Sequence, residues 1–103
     1  MNIGILLILV VAILFKLFPP RKINGFYGYR TARSMANIEN WKLANNYSSN
    51  LMIVVFSLLT ILNFILEQMG IKDEKIILGL IIVSFGLVIF LTEQKLKNES
   101  EKK

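Results

Sequence analysis

Three long apolar runs constrain the fold of this chain more than any other feature. They cover residues 3–18, 51–66 and 76–91, and only glycines, small polar residues and Lys16 interrupt them. Each run is slightly shorter than the ~20 residues that a membrane-spanning helix needs, and flanking residues can extend it. One such run would also suit a buried helix of a soluble protein. A chain of 103 residues, however, has too little polar sequence to cover three of them.

The sequence therefore predicts an all-α integral membrane protein with three transmembrane helices. The predicted spans are residues 2–18, 48–69 and 75–92, with a structured, partly helical loop between the first two. We expect the whole chain, residues 1–103, to form a single membrane domain.

The distribution of charge predicts the orientation of these helices. Residues 16–50 contain six Lys/Arg and one acid, whereas residues 67–75 contain two Lys and three acids. Cytoplasmic segments carry the excess of basic residues. The loop 19–47 and the charged tail 93–103 are thus predicted to be cytoplasmic, with the N-terminus outside. The net charge of +5 then indicates a bilayer with anionic headgroups, and not nucleic acid, as the partner.

The residues that most enzymes use are absent or misplaced for chemistry. The chain has no cysteine and no histidine, which removes thiolate chemistry, the commonest general base and the commonest metal ligand. No Asp, Glu or Arg lies within the three apolar runs, although proton-coupled transporters usually need a carboxylate there. We expect no catalytic residue, no metal and no cofactor.

Two helix faces have residues suited to close packing. Ser57, Thr60 and Asn63 recur on the second helix, and Gly79 and Gly86 lie seven residues apart on the third. Small and polar residues of this kind mediate helix contacts in membranes, within one chain or in a homo-oligomer. A peptide-binding groove is the alternative. Asn63 is expected to find a partner, because an unpaired amide in hydrocarbon is costly.

The loop has its own local signals. Pro19-Pro20 is predicted to end the first helix, because proline cannot continue the backbone hydrogen bonds. Gly25 and Gly28 favour a compact loop. Ser34 is predicted to be the N-cap of a helix over residues 35–50. The apolar residues of that segment wind around the helix, so we expect it to pack partly against protein.

Aromatic and basic side chains of the loop suggest contacts with the bilayer. Tyr27, Tyr29 and Trp41 are predicted to be interfacial anchors. Arg30 and Arg33 are predicted to contact headgroups. The alternative for Arg30 is pairing with Glu39, the only acid of the loop, or with a carboxylate of a partner. The other predicted headgroup contacts are Lys16, Arg21 and Lys22.

The loop also carries a resemblance to a known family. The run Gly28-Tyr29-Arg30-Thr31, followed by Ser34, Trp41, Ala44 and Asn45, resembles the SdpI-like family of small bacterial membrane immunity proteins. The lead-in Pro19-Pro20-x-x-Ile23-Asn24-Gly25 is similar as well. The candidate partner- or lipid-facing residues are Tyr27, Gly28, Tyr29, Arg30, Thr31, Arg33, Ser34, Glu39, Trp41 and Asn45.

The resemblance implies a multi-pass, non-enzymatic protein of the bacterial cytoplasmic membrane. Such a protein protects the cell against a secreted, membrane-active toxin peptide by binding the peptide or by shielding its target. In the family's prototype it also implies capture of a transcriptional repressor at the inner face. A toxin peptide is the implied partner. A second copy of the chain stays open as a further partner, on the helix faces described above.

Two other functions remain as alternatives. Three spans with a charged C-terminal tail also suit a phage holin, although a long ordered loop does not. An enzyme acting at the inner interface would have to use Arg30, Glu39, Tyr29 and Ser34. That set offers one carboxylate and no conventional triad or zinc site.

Overall fold

Between residues 3 and 101, the fold consists of three α-helices with the second at the centre. The computed structural model describes residues 3–101, so the predicted limits at residues 1, 2 and 103 lie outside it. The helices are α1 (Ile3–Leu17), α2 (Ile38–Gln68) and α3 (Glu74–Glu101). Both α1 and α3 pack against α2. The loop 18–37 joins α1 to α2, and a short turn joins α2 to α3.

Two of the helices are long and apolar enough to cross a membrane, namely α2 and α3. Only 22% and 17% of their most apolar stretches are buried inside the protein, whereas the core helix of a soluble protein would be covered on its apolar face. The chain is thus a membrane protein with helical spans. α1 is apolar but shorter, with 15 residues, and rises ~22 Å against a hydrocarbon thickness of ~30 Å.

The helix boundaries follow local chemistry, with one correction to the sequence prediction. α1 ends at Leu17, just before Pro19-Pro20, as expected. α2 begins at Ile38, where the Oδ1 of Asn37 accepts the backbone N–H of Asn40 at 2.8 Å. The prediction that Ser34 caps a helix over residues 35–50 is therefore wrong. The reason is that the hydroxyl of Ser34 is already engaged in the preceding turn.

The turn between α2 and α3 is a compact helix ending. The N–H of Gly70 bonds the carbonyl of Glu67 at 3.0 Å, and the N–H of Ile71 bonds that of Leu66 at 2.9 Å. Gly70 has a φ of +82°, which is the usual glycine conformation in such a C-terminal motif. At the far end, α3 continues to Glu101, so residues 93–101 of the predicted charged tail are helical.

A small apolar cluster joins the three helices. It consists of Ile5, Phe56, Leu59 and Ile77. Asn63 is also buried, and its Nδ2 lies 3.3 Å from the Oε1 of Glu67, which confirms that this amide finds a partner.

The glycine face of α3 does not take part in this packing. A Cβ added at Gly79 or at Gly86 would meet no atom within 4 Å. The expectation that these glycines pack within the chain is thus wrong, because α3 turns a different face toward α2. Their use in a homo-oligomer stays a prediction.

Candidate functional site

The side chain of Asn45 holds the loop against α2. Its Oδ1 accepts the backbone N–H of Tyr29 at 2.7 Å, and its Nδ2 donates to the carbonyl of Trp41 at 2.9 Å. The same Nδ2 lies 3.5 Å from the carbonyl of Tyr29. Asn45 is buried, so these bonds form away from competing water. The loop is therefore fixed in one register on the helix.

Gly28 permits this close approach. Its φ is +102°, and a Cβ at this position would lie 2.5 Å from the Oδ1 of Asn45 and 2.7 Å from the Cγ of Pro20. No real Cβ tolerates such distances, and the conformation itself favours glycine. The glycine of the Gly-Tyr-Arg-Thr motif is thus required by the backbone and by the neighbouring side chains.

Trp41 ties the loop to the end of α1. Its indole Nε1 donates to the carbonyl of Pro20 at 2.6 Å, and its side chain is fully buried. A buried indole needs such a partner for its N–H. Trp41 is thus covered by protein and does not lie among lipid headgroups, in contrast to the predicted interfacial anchor.

Thr31 and Ser34 close a reciprocal turn behind the motif. The Oγ of Ser34 accepts the N–H of Thr31 at 2.7 Å, and the N–H of Ser34 donates to the Oγ1 of Thr31 at 3.1 Å. Ser34 is fully buried. The Nδ2 of Asn40 then donates to the carbonyl of Arg33 at 3.0 Å. These bonds give the two hydroxyls a structural role in shaping the loop.

Glu93 of α3 is the second attachment point of the loop. The phenol of Tyr29 donates to its Oε1 at 3.1 Å, and the Nη1 of Arg33 lies 3.9 Å from its Oε2. Burial and then the adjacent Glu93 carboxylate raise the pKa of Tyr29 well above its ordinary value. The phenol, which is protonated at neutral pH even with its ordinary pKa, therefore remains a donor in more alkaline solution as well.

Sequence reasoning missed Glu93, because the charge count placed it in the cytoplasmic tail. One signal was present: it is the first acid after the third apolar run. The predicted topology places the end of the third span on the same side of the membrane as the basic loop, so Glu93 is expected near that loop.

Tyr27 and Arg30 are exposed side chains of the loop. The Tyr27 ring packs against Phe15 of α1, with centroids 5.8 Å apart, and its side chain is 43% exposed. That exposure is compatible with an interfacial anchor. The guanidinium of Arg30 donates to the carbonyl of Gly25. Its pairing with Glu39 stays a prediction.

A groove of about 520 Å³ opens between α1 and α3. Apolar side chains of α1 and α3 form its walls, and polar side chains of α2 contribute to its floor. The loop closes one end with the motif itself. The lining residues are Leu7, Ile8, Val11, Phe15, Gly28, Tyr29, Arg30, Thr31, Asn45, Ser48, Ser49, Met52, Phe85, Val88 and Ile89.

Half of the candidate site residues meet at this groove. The structure brings Gly28, Tyr29, Arg30, Thr31 and Asn45 to it. The remaining candidates support the loop from behind or lie elsewhere: Tyr27, Arg33, Ser34, Glu39 and Trp41. Sequence reasoning did not find Ser48 and Ser49, which have no local motif. Apolar walls and one polar end match the chemistry of an elongated amphipathic molecule.

Comparison with known proteins agrees with the predicted resemblance. Residues 21–92 match the SdpI/YfhL protein family. The chain belongs to this family. The SdpI/YfhL match covers the motif, all of α2 and most of α3, and the family is associated with immunity to the SdpC toxin.

A Bacillus subtilis (strain 168) protein described as "Uncharacterized protein YfhL" is 41% identical over 95 residues, which cover 88% of this chain and 80% of the relative. No solved structure matches the chain.

Proposed function

We propose that this protein is an immunity factor of the bacterial cytoplasmic membrane that protects the cell against a secreted, membrane-active toxin peptide. In this proposal all three helices span the bilayer, with the N-terminus outside and the C-terminus inside. Family membership supports the immunity class, and the excess of basic residues in the loop supports the orientation. The proposed action is binding, without chemistry on the peptide.

The groove between α1 and α3 is the observation that carries this proposal. Its walls are apolar, and α1 and α3 each pack on α2. A toxin helix already dissolved in the bilayer therefore has a lateral route from the lipid into the groove. An amphipathic helix that lays its apolar face in such a groove is a common mode of peptide recognition.

The closed end of the groove supplies polarity for the peptide. Arg30 presents a permanently charged guanidinium with several N–H donors, of which the Gly25 carbonyl takes one. A carboxylate of the peptide, at its terminus or on an acidic side chain, is the matching group. Because Asn45 and Gly28 fix the loop, the Arg30 position is prepared before binding.

A pair of tryptophan substitutions tests the groove directly. Leu7 lines the groove and is 60% exposed, whereas Leu58 is 61% exposed and lies outside the lining. In a toxin-sensitive strain challenged with a panel of secreted peptides, we expect the wild type and Leu58→Trp to protect equally. Leu7→Trp fills the groove and should lose protection at equal membrane abundance. Equal protection by both variants would reject the groove as the binding site.

The same strains separate immunity from the holin alternative. The hydrogen bonds from Asn45 and Trp41 hold the loop in place, which supports a receptor more than a pore former with short connections. We expect induced expression to leave the membrane potential and growth unchanged. Abrupt depolarisation and lysis would instead support a holin.

Orientation is measurable because the chain contains no cysteine. Single cysteines at Ala36 in the loop and at Lys72 in the turn provide one probe for each side. In intact cells, a membrane-impermeant thiol reagent should label Lys72→Cys and spare Ala36→Cys. The reverse labelling pattern would overturn the proposed orientation.

A further inference from the structure

A second concavity beside the groove collects basic side chains from three segments. It has a volume of about 450 Å³ and takes Lys16 from α1, Arg21 from the loop and Lys42 from α2. The rest of its lining is apolar or neutral, with Phe15, two prolines, two asparagines and Ser49, so no carboxylate lines it in the described part of the chain. We call this concavity the basic pocket.

Contacts within the protein hold the ammonium of Lys16 and the backbone that leads into Arg21. The Nζ of Lys16 donates to the Oδ1 of Asn46 at 2.7 Å, which holds the ammonium against α2. Arg21 directly follows Pro20, whose carbonyl accepts the buried indole of Trp41. The backbone leading into Arg21 is therefore fixed. Lys16, Arg21 and Lys42 come from three different segments, and the folding of the loop onto α1 and α2 brings them to one pocket.

The basic pocket lies at the edge of the apolar part of the molecule. Lys16 is in the last turn of α1, so it is level with the end of that apolar helix. Lys42 is one turn before Asn46 on α2, which corresponds to ~6 Å along the axis. This is the depth of lipid headgroups in the proposed orientation, and Phe15 gives the pocket an apolar side toward the hydrocarbon.

We propose that the basic pocket binds the phosphate of an anionic phospholipid. The planar guanidinium of Arg21 matches two phosphate oxygens, and the two ammonium groups supply further charge. The acyl chains would leave along Phe15. Lys22, although adjacent, does not line the pocket, and its carbonyl accepts the Asn24 side chain in a separate turn. The proposal depends on the membrane placement above and not on immunity.

Native mass spectrometry of the purified protein in detergent tests this site. The protein is titrated with phosphatidylglycerol, with zwitterionic phosphatidylcholine and with inorganic phosphate. We expect saturable binding of phosphatidylglycerol in preference to phosphatidylcholine. Replacing Lys16, Arg21 and Lys42 by glutamine should weaken that binding by roughly fivefold per cation removed.

Lys22→Gln is the matched control, because it removes one cation of the same loop without touching the pocket. It should leave the binding of phosphatidylglycerol unchanged. Unshifted Trp41 fluorescence in each variant shows that the loop is still folded. If the Trp41 emission of the triple variant shifted, the binding of phosphatidylglycerol to the single Arg21→Gln variant would test the proposal instead.

Three results would overturn the proposal. Equal binding of the two lipids would mean that the charge of the headgroup is not recognised. If Lys22→Gln weakened the binding of phosphatidylglycerol as much as Arg21→Gln does, the effect would reflect net charge alone. Saturable binding of inorganic phosphate that excludes phosphatidylglycerol would assign the basic pocket to a soluble phosphate compound.

Discussion

The two ends of the molecule are built in opposite ways. The loop end comprises the loop 18–37 and residues 38–50 of α2, and the hairpin end comprises the turn 69–73 and the adjoining turns of α2 and α3. At the loop end, polar side chains are buried and bonded across long sequence distances, as in the contact between Tyr29 and Asn45. At the hairpin end, the turn is held by local backbone bonds, and Met69 is exposed.

The difference shows which end of this protein needs buried polar residues. An apolar helix surface is stable in lipid without protein partners, so the hairpin end needs only a short turn. In the proposed function, the loop end closes the groove and presents Arg30 at a defined position, which a flexible loop cannot do. We therefore expect substitutions at the loop end to matter far more than matched substitutions at the hairpin end.

The largest difference in stability between the two ends is expected from substitutions of the two glycines with positive φ. Gly28→Ala and Gly70→Ala both force alanine into a left-handed conformation, at about 1–2 kcal/mol. Only at Gly28 does the new Cβ also collide with Asn45 and Pro20. Gly28→Ala should therefore cost about 2–5 kcal/mol in the free energy of unfolding in detergent. Equal losses for the two variants would break the comparison between the ends.

The next effect concerns the indole that joins the loop to α1. Trp41→Phe leaves the carbonyl of Pro20 without its partner and creates a void, with an expected cost of about 1–3 kcal/mol. Phe64→Leu is the control, because Phe64 is an exposed ring nearer the hairpin end. Thermal unfolding followed by circular dichroism measures both. A control variant as destabilised as Trp41→Phe would contradict the expected contrast.

A smaller effect is expected at the contact between the loop and α3. Tyr29→Phe removes the hydrogen bond to Glu93 and should cost about 0.5–1.5 kcal/mol. Tyr27→Phe removes the same hydroxyl from an exposed ring and should change little. A double-mutant cycle of Tyr29→Phe with Glu93→Ala gives the coupling energy. A coupling of zero would show that the loop does not depend on α3.

The smallest effect is expected at the hairpin end itself. Met69→Gln replaces an exposed side chain in the turn and should change the free energy of unfolding by less than about 0.5 kcal/mol. The same denaturation experiment provides this baseline. A larger loss would reveal packing at the hairpin end that its exposure does not suggest.

The sequence predicted the parts of the fold that depend on local chemistry. The apolar runs predicted three helices, Pro19-Pro20 predicted the end of α1, and Asn63 found a partner as expected. Family membership was also predictable, because the Gly-Tyr-Arg-Thr run, the spaced Trp41 and the apolar run that follows are all visible in the sequence.

The sequence could not predict how the loop is held. The bonds of Tyr29 reach residues 16 and 64 positions away, and only tertiary packing brings those residues together. Ser34 illustrates the limit, since a serine before a helical segment suits an N-cap and a turn equally well. Trp41 illustrates the same limit, because an indole near a membrane span suits an interfacial site as well as a buried one.

The fluorescence of Trp41 tests most directly whether the loop end is a folded layer of protein. Trp41 is the only tryptophan of the chain, and its side chain is fully buried. In lipid vesicles, we predict that neither aqueous acrylamide nor lipids brominated near the headgroup quench its emission, and that Gly28→Ala exposes it to one or both. Strong quenching of the wild-type protein by brominated lipid would mean that the indole lies at the lipid surface, and would contradict the account.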